Sequence, residues 1–324
     1  MEAIYKYLRA LRNLALAVLV IIVTTAALNF PYDVDAPLTQ QELETARNYY
    51  ADAYRKPITK AEAATEFETK YISVARAAAE AFRIDEHVRQ FVERFNLRER
   101  PVLEIGSGRG YLQDLAQDYT GLDISPTVAR FYHRKFVLGS ATAMPFLDDS
   151  FDGAWSIWVF EHVPNPEQAF REARRVTRDN GVLFLLVAWN CTPWAAEGYE
   201  VRPYSDFGLG GKFIKASIPL RSWPLFRAMS IIPNRLSRDF VSQSEPSKLR
   251  YRRLTPNYEK YWVPDSDAVN SIDRHEAMLW FRSRGDECLN CEDSSGSVFM
   301  SAMPNSMPLI IRVHKPAQIK PIAR

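Results

Sequence analysis

The stretch Glu104-Ile-Gly106-Ser107-Gly108-Arg-Gly110 holds the residues best placed to do chemistry. Three glycines at alternate positions let a backbone approach a ligand closely, and a strand feeding such a turn aims backbone N–H groups at that ligand. Alone the pattern is weak. Dinucleotide binding through GxGxxG would need Gly or Ala at 111, where this chain has Tyr111. The carboxylate of Glu104, two residues before the first glycine, would repel a pyrophosphate but could hold an ammonium group. Asp123 lies 19 residues after Glu104. A carboxylate at the end of a second strand can accept both hydroxyls of a ribose. Further on, Glu161 and His162 follow an apolar run, where a sheet's carboxyl edge would place a general base or a positioning group.

The surrounding pattern supplies the scaffold for these residues. VLEIG, TGLDI, a short run at Phe136–Leu138, GAWSIWVF and GVLFLLVAW read as strands, with YLQDLAQDY, PTVARFYHRKF and PEQAFREARRV between them as helices. Strands alternating with helices imply βαβ units and a doubly wound α/β sheet. Asn165 as cap, Pro166 in first position and Gly181 beyond the end mark the last helix. Upstream, Thr59-Lys-Ala-Glu62 is a capping-box pattern, ISVARAAAEAFRI has helical spacing, and Asp85 is placed to cap HVRQFVERF. Downstream, a helix at HEAMLWFRSRG and strands at Glu287–Leu289 and in MPLIIRVH complete the pattern. The reading divides the chain into an N-terminal anchor (1–32), a helical extension (33–97), a Rossmann-like core (98–190), an inserted lid (191–270) and a closing helix and strands (271–324), with Pro31–Pro37 as a short linker across the first boundary.

The stretch from about Val102 to Val187 resembles the S-adenosylmethionine-binding core of class I methyltransferases, closest to the group that includes quinone and sterol methyltransferases. LEIGSGRG matches the first motif and LDIS the second. GSATAMPF resembles the family's GDAxxLPF segment, and SFDGAWSIWVFEHVPNPEQAFREARRVTRDNGVL follows the fourth strand, loop, helix and fifth strand. The resemblance implies a Rossmann-like sheet closed by an antiparallel hairpin. It implies S-adenosyl-L-methionine held by Gly106, Ser107, Gly108, Gly110, Asp123 and Ile124, with Ala141 and Ile157 nearby and Glu104 near its amino group or positioning the loop. It gives His162 and Glu161 the catalytic positions. Ser140 departs from the family, which has Asp there; a hydroxyl can still accept one hydrogen bond. The Asn/Asp-Pro-Pro-Tyr/Phe motif of nucleobase methylation is absent, which argues against nucleic acid as partner.

From Asn13 to Tyr32 there is no charged residue. As a helix, twenty such residues span about 30 Å, the thickness of a bilayer's hydrocarbon layer. A membrane anchor is the favoured reading, beside a cleaved signal peptide or a buried helix. Lys6, Arg9 and Arg12 ahead of it favour an exported domain. Supply of a methyl donor favours a cytosolic one, and is preferred. Between Val201 and Arg253 the insert carries eleven Lys/Arg against three Asp/Glu, interleaved with apolar residues and prolines. Two readings stand: a lid resting on anionic lipid that admits a small or lipid-like acceptor, or a folded lid with solvated charges. Net charge of +2 over 324 residues gives no global field for nucleic acid. Cys288 and Cys291 have CxxC spacing but no second pair for zinc, so they read as two small apolar residues at a strand end. No metal site is expected. The alternatives to a methyltransferase are a non-catalytic membrane-tethered adaptor with the same fold and an NAD-linked oxidoreductase.

Overall fold

The computed structural model describes residues 2–28, 40–54, 66–241, 246–258, 263–291 and 307–315. The capping-box pattern at Thr59 and the whole of the linker expected at Pro31–Pro37 lie outside them. Seven strands form one sheet: β1 (Val102–Ile105), β2 (Tyr119–Asp123), β3 (Lys135–Leu138), β4 (Phe151–Ile157), β5 (Thr177–Leu186), and a closing pair, β8 (Glu287–Cys288) and β9 (Leu309–Arg312). Their order is β3-β2-β1-β4-β5-β9-β8. The first five are parallel, and β9 runs antiparallel to both β5 and β8. The Rossmann-like sheet and closing hairpin expected from the sequence are present. Strand order reverses between β1 and β4, the position where doubly wound sheets bind ligands beyond their carboxyl ends. A short antiparallel pair, β6 (Tyr251–Arg253) and β7 (Asn270–Ile272), stands apart.

Strand β1 is buried at every position, as a central parallel strand requires. Leu103 and Ile105 enter a core with Phe170, Trp280 and Phe281; Val102 enters the opposite core with Val88, Phe91 and Trp155. Helices cover the sheet: α3 (Glu66–Ala81), α4 (Ile84–Arg94), α5 (Pro166–Val176) and α9 (Arg274–Arg282). The cap of α5 is as expected, with the Asn165 side chain accepting from the Gln168 N–H at 3.0 Å.

Several local expectations are corrected. YLQDLAQDY forms turns, not a helix. Only eight residues separate Gly110 from β2. A helix that long rises about 12 Å and leaves no chain for the return. Leu112 and Ala116 still bury, so the apolar spacing reported burial rather than helix. PTVARFYHRKF contracts to a 3₁₀ segment, Pro126–Phe131. Gly181 lies within β5, not past a helix end, and packs against the Asp152 carbonyl. Arg83, not Asp85, precedes α4, in a left-handed conformation; Asp85 sits in the first turn, where its charge suits the helix dipole. Cys288 and Cys291 are joined by a disulfide, Cα atoms 5.5 Å apart, rather than lying as unpaired apolar residues.

The N-terminal segment is one helix, α1 (Glu2–Leu28). Within it Ile4–Thr25 is long and apolar enough to cross a membrane, and none of it is buried. Helix α2 (Gln40–Ala53) follows. The insert is not broken by its prolines: α6 (Pro193–Ala196) leads to α7 (Leu209–Ser222) and α8 (Pro224–Val241), with Pro219 and Pro233 inside them. Helix α7 packs along α1, and Arg221 donates to the Thr25 carbonyl at 3.3 Å. Helix α8 is tied to α9 by buried ion pairs, Arg235–Asp273 and Arg238–Glu276. Lys215 donates to the Tyr199 and Glu200 carbonyls, and Arg253 to that of Pro164. Many of the insert's cations therefore serve its own fold.

Candidate active site

A cavity of about 420 Å³ opens at the carboxyl ends of β1, β2 and β4. Gly106, Asp123, Ile124, Ser140, Ala141 and His162 line it together. Asp123, at the end of β2, is 7% exposed. Its Oδ1 accepts from the Ser125 N–H and its Oδ2 from the Gly108 N–H, both at 2.8 Å. It thus ties the glycine loop to the second strand and keeps lone pairs for a ligand. Burial pushes its pKa up, against those backbone bonds. Ser140 bonds the Thr142 hydroxyl at 2.9 Å and accepts from the Thr142 N–H at 3.2 Å. Its hydroxyl holds a tight turn at the cavity wall, as a short acidic side chain could.

Glu104, Ser107, Gly108, Gly110 and Ile157 do not line this cavity. The Glu104 carboxylate shares a sheet face with Asp123 but sits two positions deeper, opposite Gly121, where the Tyr119 hydroxyl donates to it. Burial lifts its pKa to about 8, against that bond. Gly110 has φ +69°, and a Cβ there would lie 2.8 Å from the Tyr132 ring. Tyr132 donates to the Gly108 carbonyl at 3.0 Å. Tyr54 covers Gly108 from the other side. This glycine loop is packed under two tyrosines, and Gly106 alone of its glycines borders the open space.

The wall that sequence reasoning missed is α2. Glu44, Ala46, Arg47 and Tyr50 line the cavity, with Tyr54 just beyond the helix end. Arg47, Tyr50 and Tyr54 sit at i, i+3 and i+7, one face of a helix. That spacing was the available signal; nothing local says the face meets the sheet edge. Thr127 donates to the Ala51 carbonyl at 2.8 Å and fixes the contact.

A second cavity, about 620 Å³, shares Trp158 and His162 with the first. Glu161, Asp265, Asp267, Trp189, Trp194 and Arg221 also line it. Glu161 faces this space, not the first cavity. It is fully buried, and neither oxygen has a well-aligned hydrogen-bond partner among the described residues, although the backbone N–H groups of Glu161 and Ala188 favour its charge. Burial raises its pKa to about 7, although His162 opposes that. The His162 Nδ1 lies 3.3 Å from the Asp267 carbonyl and 3.6 Å from its Oδ2, and Nε2 lies 3.7 Å from Glu161 Oε1. Burial disfavours the imidazolium, but Asp267 and Glu161 outweigh it and its pKa is raised. Tyr50 packs edge-on against the His162 ring and donates to Asp267 Oδ2 at 3.1 Å. Trp158 between the cavities has φ +51°, and Asp265 has φ +66°. Strain of this kind costs about 1–3 kcal/mol and gathers at functional sites.

Glu104 and Glu161 make stability pH-dependent. Both titrate near 4.5 when unfolded but near 8 and 7 when folded. Between those values the folded state holds protons that the unfolded state releases, so stability falls as pH rises. Each group contributes on the order of a few kcal/mol across its window. The melting temperature should be higher at about pH 5.5 than at about pH 8.5. Glu104→Gln should flatten that slope in a thermal melt series.

Residues 103–185 match the methyltransferase domain family. This chain carries a class I methyltransferase domain. An uncharacterized methyltransferase of Mycobacterium avium is 37% identical over 97 residues, which cover 26% of this chain and 38% of that protein. An uncharacterized protein of Methanocaldococcus jannaschii is 35% identical over 91 residues, 27% of this chain and 36% of its own length. The chain thus spans little more than a third of the curated relatives it matches. Among solved structures, the YcgJ protein of Bacillus subtilis matches 70% of this chain and 94% of its own at 14% identity, with a TM-score of 0.35.

Proposed function

We propose that the chain is an S-adenosylmethionine-dependent methyltransferase acting on a small or lipid-like acceptor at a membrane surface. The observation that carries this reading is the pair of adjoining cavities, one bordered by Gly106, Asp123 and Ser140, the other by Glu161, with His162 and Trp158 between them. The residues fit the donor. Asp123 offers lone pairs to a ribose, and Ile124, Leu122 and Ala141 give apolar walls for an adenine. Glu44 and Arg47 supply the opposite charges that an amino-acid end requires. About 420 Å³ is within the range of nucleoside-sized sites. Tyr111, where a dinucleotide-binding GxGxxG loop needs Gly or Ala, disfavours NAD.

When bound, the donor supplies a methyl group activated on a sulfonium. What remains for the protein is alignment and exclusion of water. Helix α2 covers the donor cavity, Trp158 and His162 set the junction, and Glu161 with a pKa near 7 is poised to take a proton from the acceptor. Membrane attachment is assigned to α1, with exposed Trp223, Leu225 and Met229 at the α7–α8 corner beside it. We place the catalytic domain on the cytosolic side because the donor is made there. The Cys288–Cys291 disulfide and the Lys6, Arg9 and Arg12 cluster weigh for the other side, but donor supply outweighs them.

Calorimetric titration of the full chain in detergent micelles with S-adenosylhomocysteine and with NAD tests the reading. Saturable binding of the first and none of the second is expected. Binding of NAD alone would point to an oxidoreductase; binding of neither by folded protein would leave the adaptor reading.

A further inference from the structure

We propose that the second cavity binds a zwitterionic amine as the methyl acceptor, its ammonium at the Glu161 end beside the donor cavity and its anionic group at Arg221. The inference rests on the methyltransferase reading and names the acceptor class. A carboxylate without a hydrogen-bond partner is costly to bury. Glu161 comes close to that state, 0% exposed and lining the cavity with no well-aligned partner among the described residues, only the nearby backbone N–H groups of Glu161 and Ala188. Asp265 and Asp267 stand beside it, and His162 lies between them, 3.7 Å from Glu161 and 3.6 Å from Asp267. Three carboxylates around one imidazole leave room for a further positive charge. Trp158, Trp189 and Phe82 complete the lining with aromatic faces, which attract organic cations.

Arg221 makes the other end different. It is 1% exposed and stacked 4.6 Å from the centre of the Trp194 ring. Its Nη2 donates to the Thr25 carbonyl, whereas Nε and Nη1 have no hydrogen-bond partner among the described residues. Burial, and after it the cation of Arg252, lower its pKa to about 10, with Tyr199 opposing them. A buried guanidinium with two idle N–H directions suits a carboxylate or phosphate. At about 620 Å³, the cavity has room for several atoms between the two groups.

The acidic end adjoins the donor cavity through His162 and Trp158, so the amine is the reacting end. An ammonium has no lone pair, so Glu161 first takes one of its protons. The nitrogen lone pair then forms the new C–N bond as the C–S bond breaks, the bonding electrons stay on sulfur, and the proton leaves Glu161 for solvent.

The test is tryptophan fluorescence and calorimetry on the full chain in detergent, with S-adenosylhomocysteine present, titrated with 6-aminohexanoate, hexylamine and hexanoate. The zwitterion should bind roughly tenfold or more tighter than either single-charge analogue, the worth of one charged hydrogen bond. Glu161→Gln should reduce it to the affinity of hexanoate, and Arg221→Met to that of hexylamine. Both variants should keep S-adenosylhomocysteine affinity, which shows that the fold survives. A phosphatidylethanolamine headgroup in mixed micelles carries the same pair of charges. Binding of either the free or the lipid form supports the site and tells the two sources apart. Hexanoate binding as tightly as the zwitterion would overturn the inference, as would no amine binding by protein that binds S-adenosylhomocysteine. Amine binding without S-adenosylhomocysteine binding would keep this site and overturn the methyltransferase reading.

Discussion

Replacing Asp123 with alanine should weaken S-adenosylhomocysteine binding by two orders of magnitude or more. The carboxylate is 7% exposed and ends β2 inside the donor cavity. Two losses combine. The ribose loses a charged acceptor for its hydroxyls, at about 1.5–3 kcal/mol for each hydrogen bond. The Gly108 and Ser125 N–H groups lose their partner, so the glycine loop is no longer held to the strand. Two such bonds amount to roughly 3–6 kcal/mol, or about 10²- to 10⁴-fold in affinity. Asp123→Asn keeps one oxygen acceptor and the side-chain shape, and should fall between wild type and Asp123→Ala. Titration calorimetry on the full chain reads both. An alanine variant within about threefold of wild type would show that the ligand does not use Asp123, since one charged hydrogen bond alone exceeds that.

The second large effect is on stability. Arg235→Met should cost about 3–5 kcal/mol, because it strands the Asp273 carboxylate inside the protein. Arg235 is 2% exposed and Asp273 is 8% exposed. Arg235 Nε donates to Asp273 Oδ2 at 2.8 Å, and Nη2 donates to Oδ1. Asp273 also caps α9, accepting from the His275 N–H. Burial opposes its charge, yet Arg235 holds its pKa below the ordinary range. The pair ties the insert to the core, so its loss should release α8 from α9. Arg235→Met combined with Asp273→Leu removes both charges and should recover most of the loss, less the value of the cap, about 1 kcal/mol. Urea unfolding followed by tryptophan fluorescence measures the cycle. If the double variant is as unstable as the sum of the singles, the two residues do not act as a pair.

The parallel strands were legible because each is a short apolar run, in VLEIG and TGLDI closed by glycine or just past aspartate. The last strand of the closing hairpin was legible as another apolar run, in MPLIIRVH. The helix expected at YLQDLAQDY was not, because apolar spacing reports which residues bury, and Leu112 and Ala116 bury in turns as well as they would in a helix. Proline inside a helix removes a backbone hydrogen bond, so the insert's helices were not legible, yet Pro219 and Pro233 lie within helices held by partners far along the chain. Asp123, Ile124, Ser140 and Ala141 could be placed near one another because they close adjacent strands. Glu104 precedes the glycine loop on β1 and shares a sheet face with Asp123, yet it lies two positions further from the carboxyl edge and does not border the cavity. Arg47, Tyr50, Arg221 and Asp265 carry no local mark of a site. They reach the cavities only through tertiary packing, Arg221 from a helix that lies against the N-terminal helix α1.

The most direct test of the central claim is to find where the donor sits. The full chain in detergent is irradiated with methyl-tritiated S-adenosylmethionine, digested, and its labelled peptides mapped by mass spectrometry. Label is expected on peptides bordering the first cavity, from α2 with Tyr50 or from Gly139 to Thr142, and an excess of S-adenosylhomocysteine should abolish it. Label confined to other peptides, or unaffected by S-adenosylhomocysteine, would contradict a donor site between Asp123 and α2.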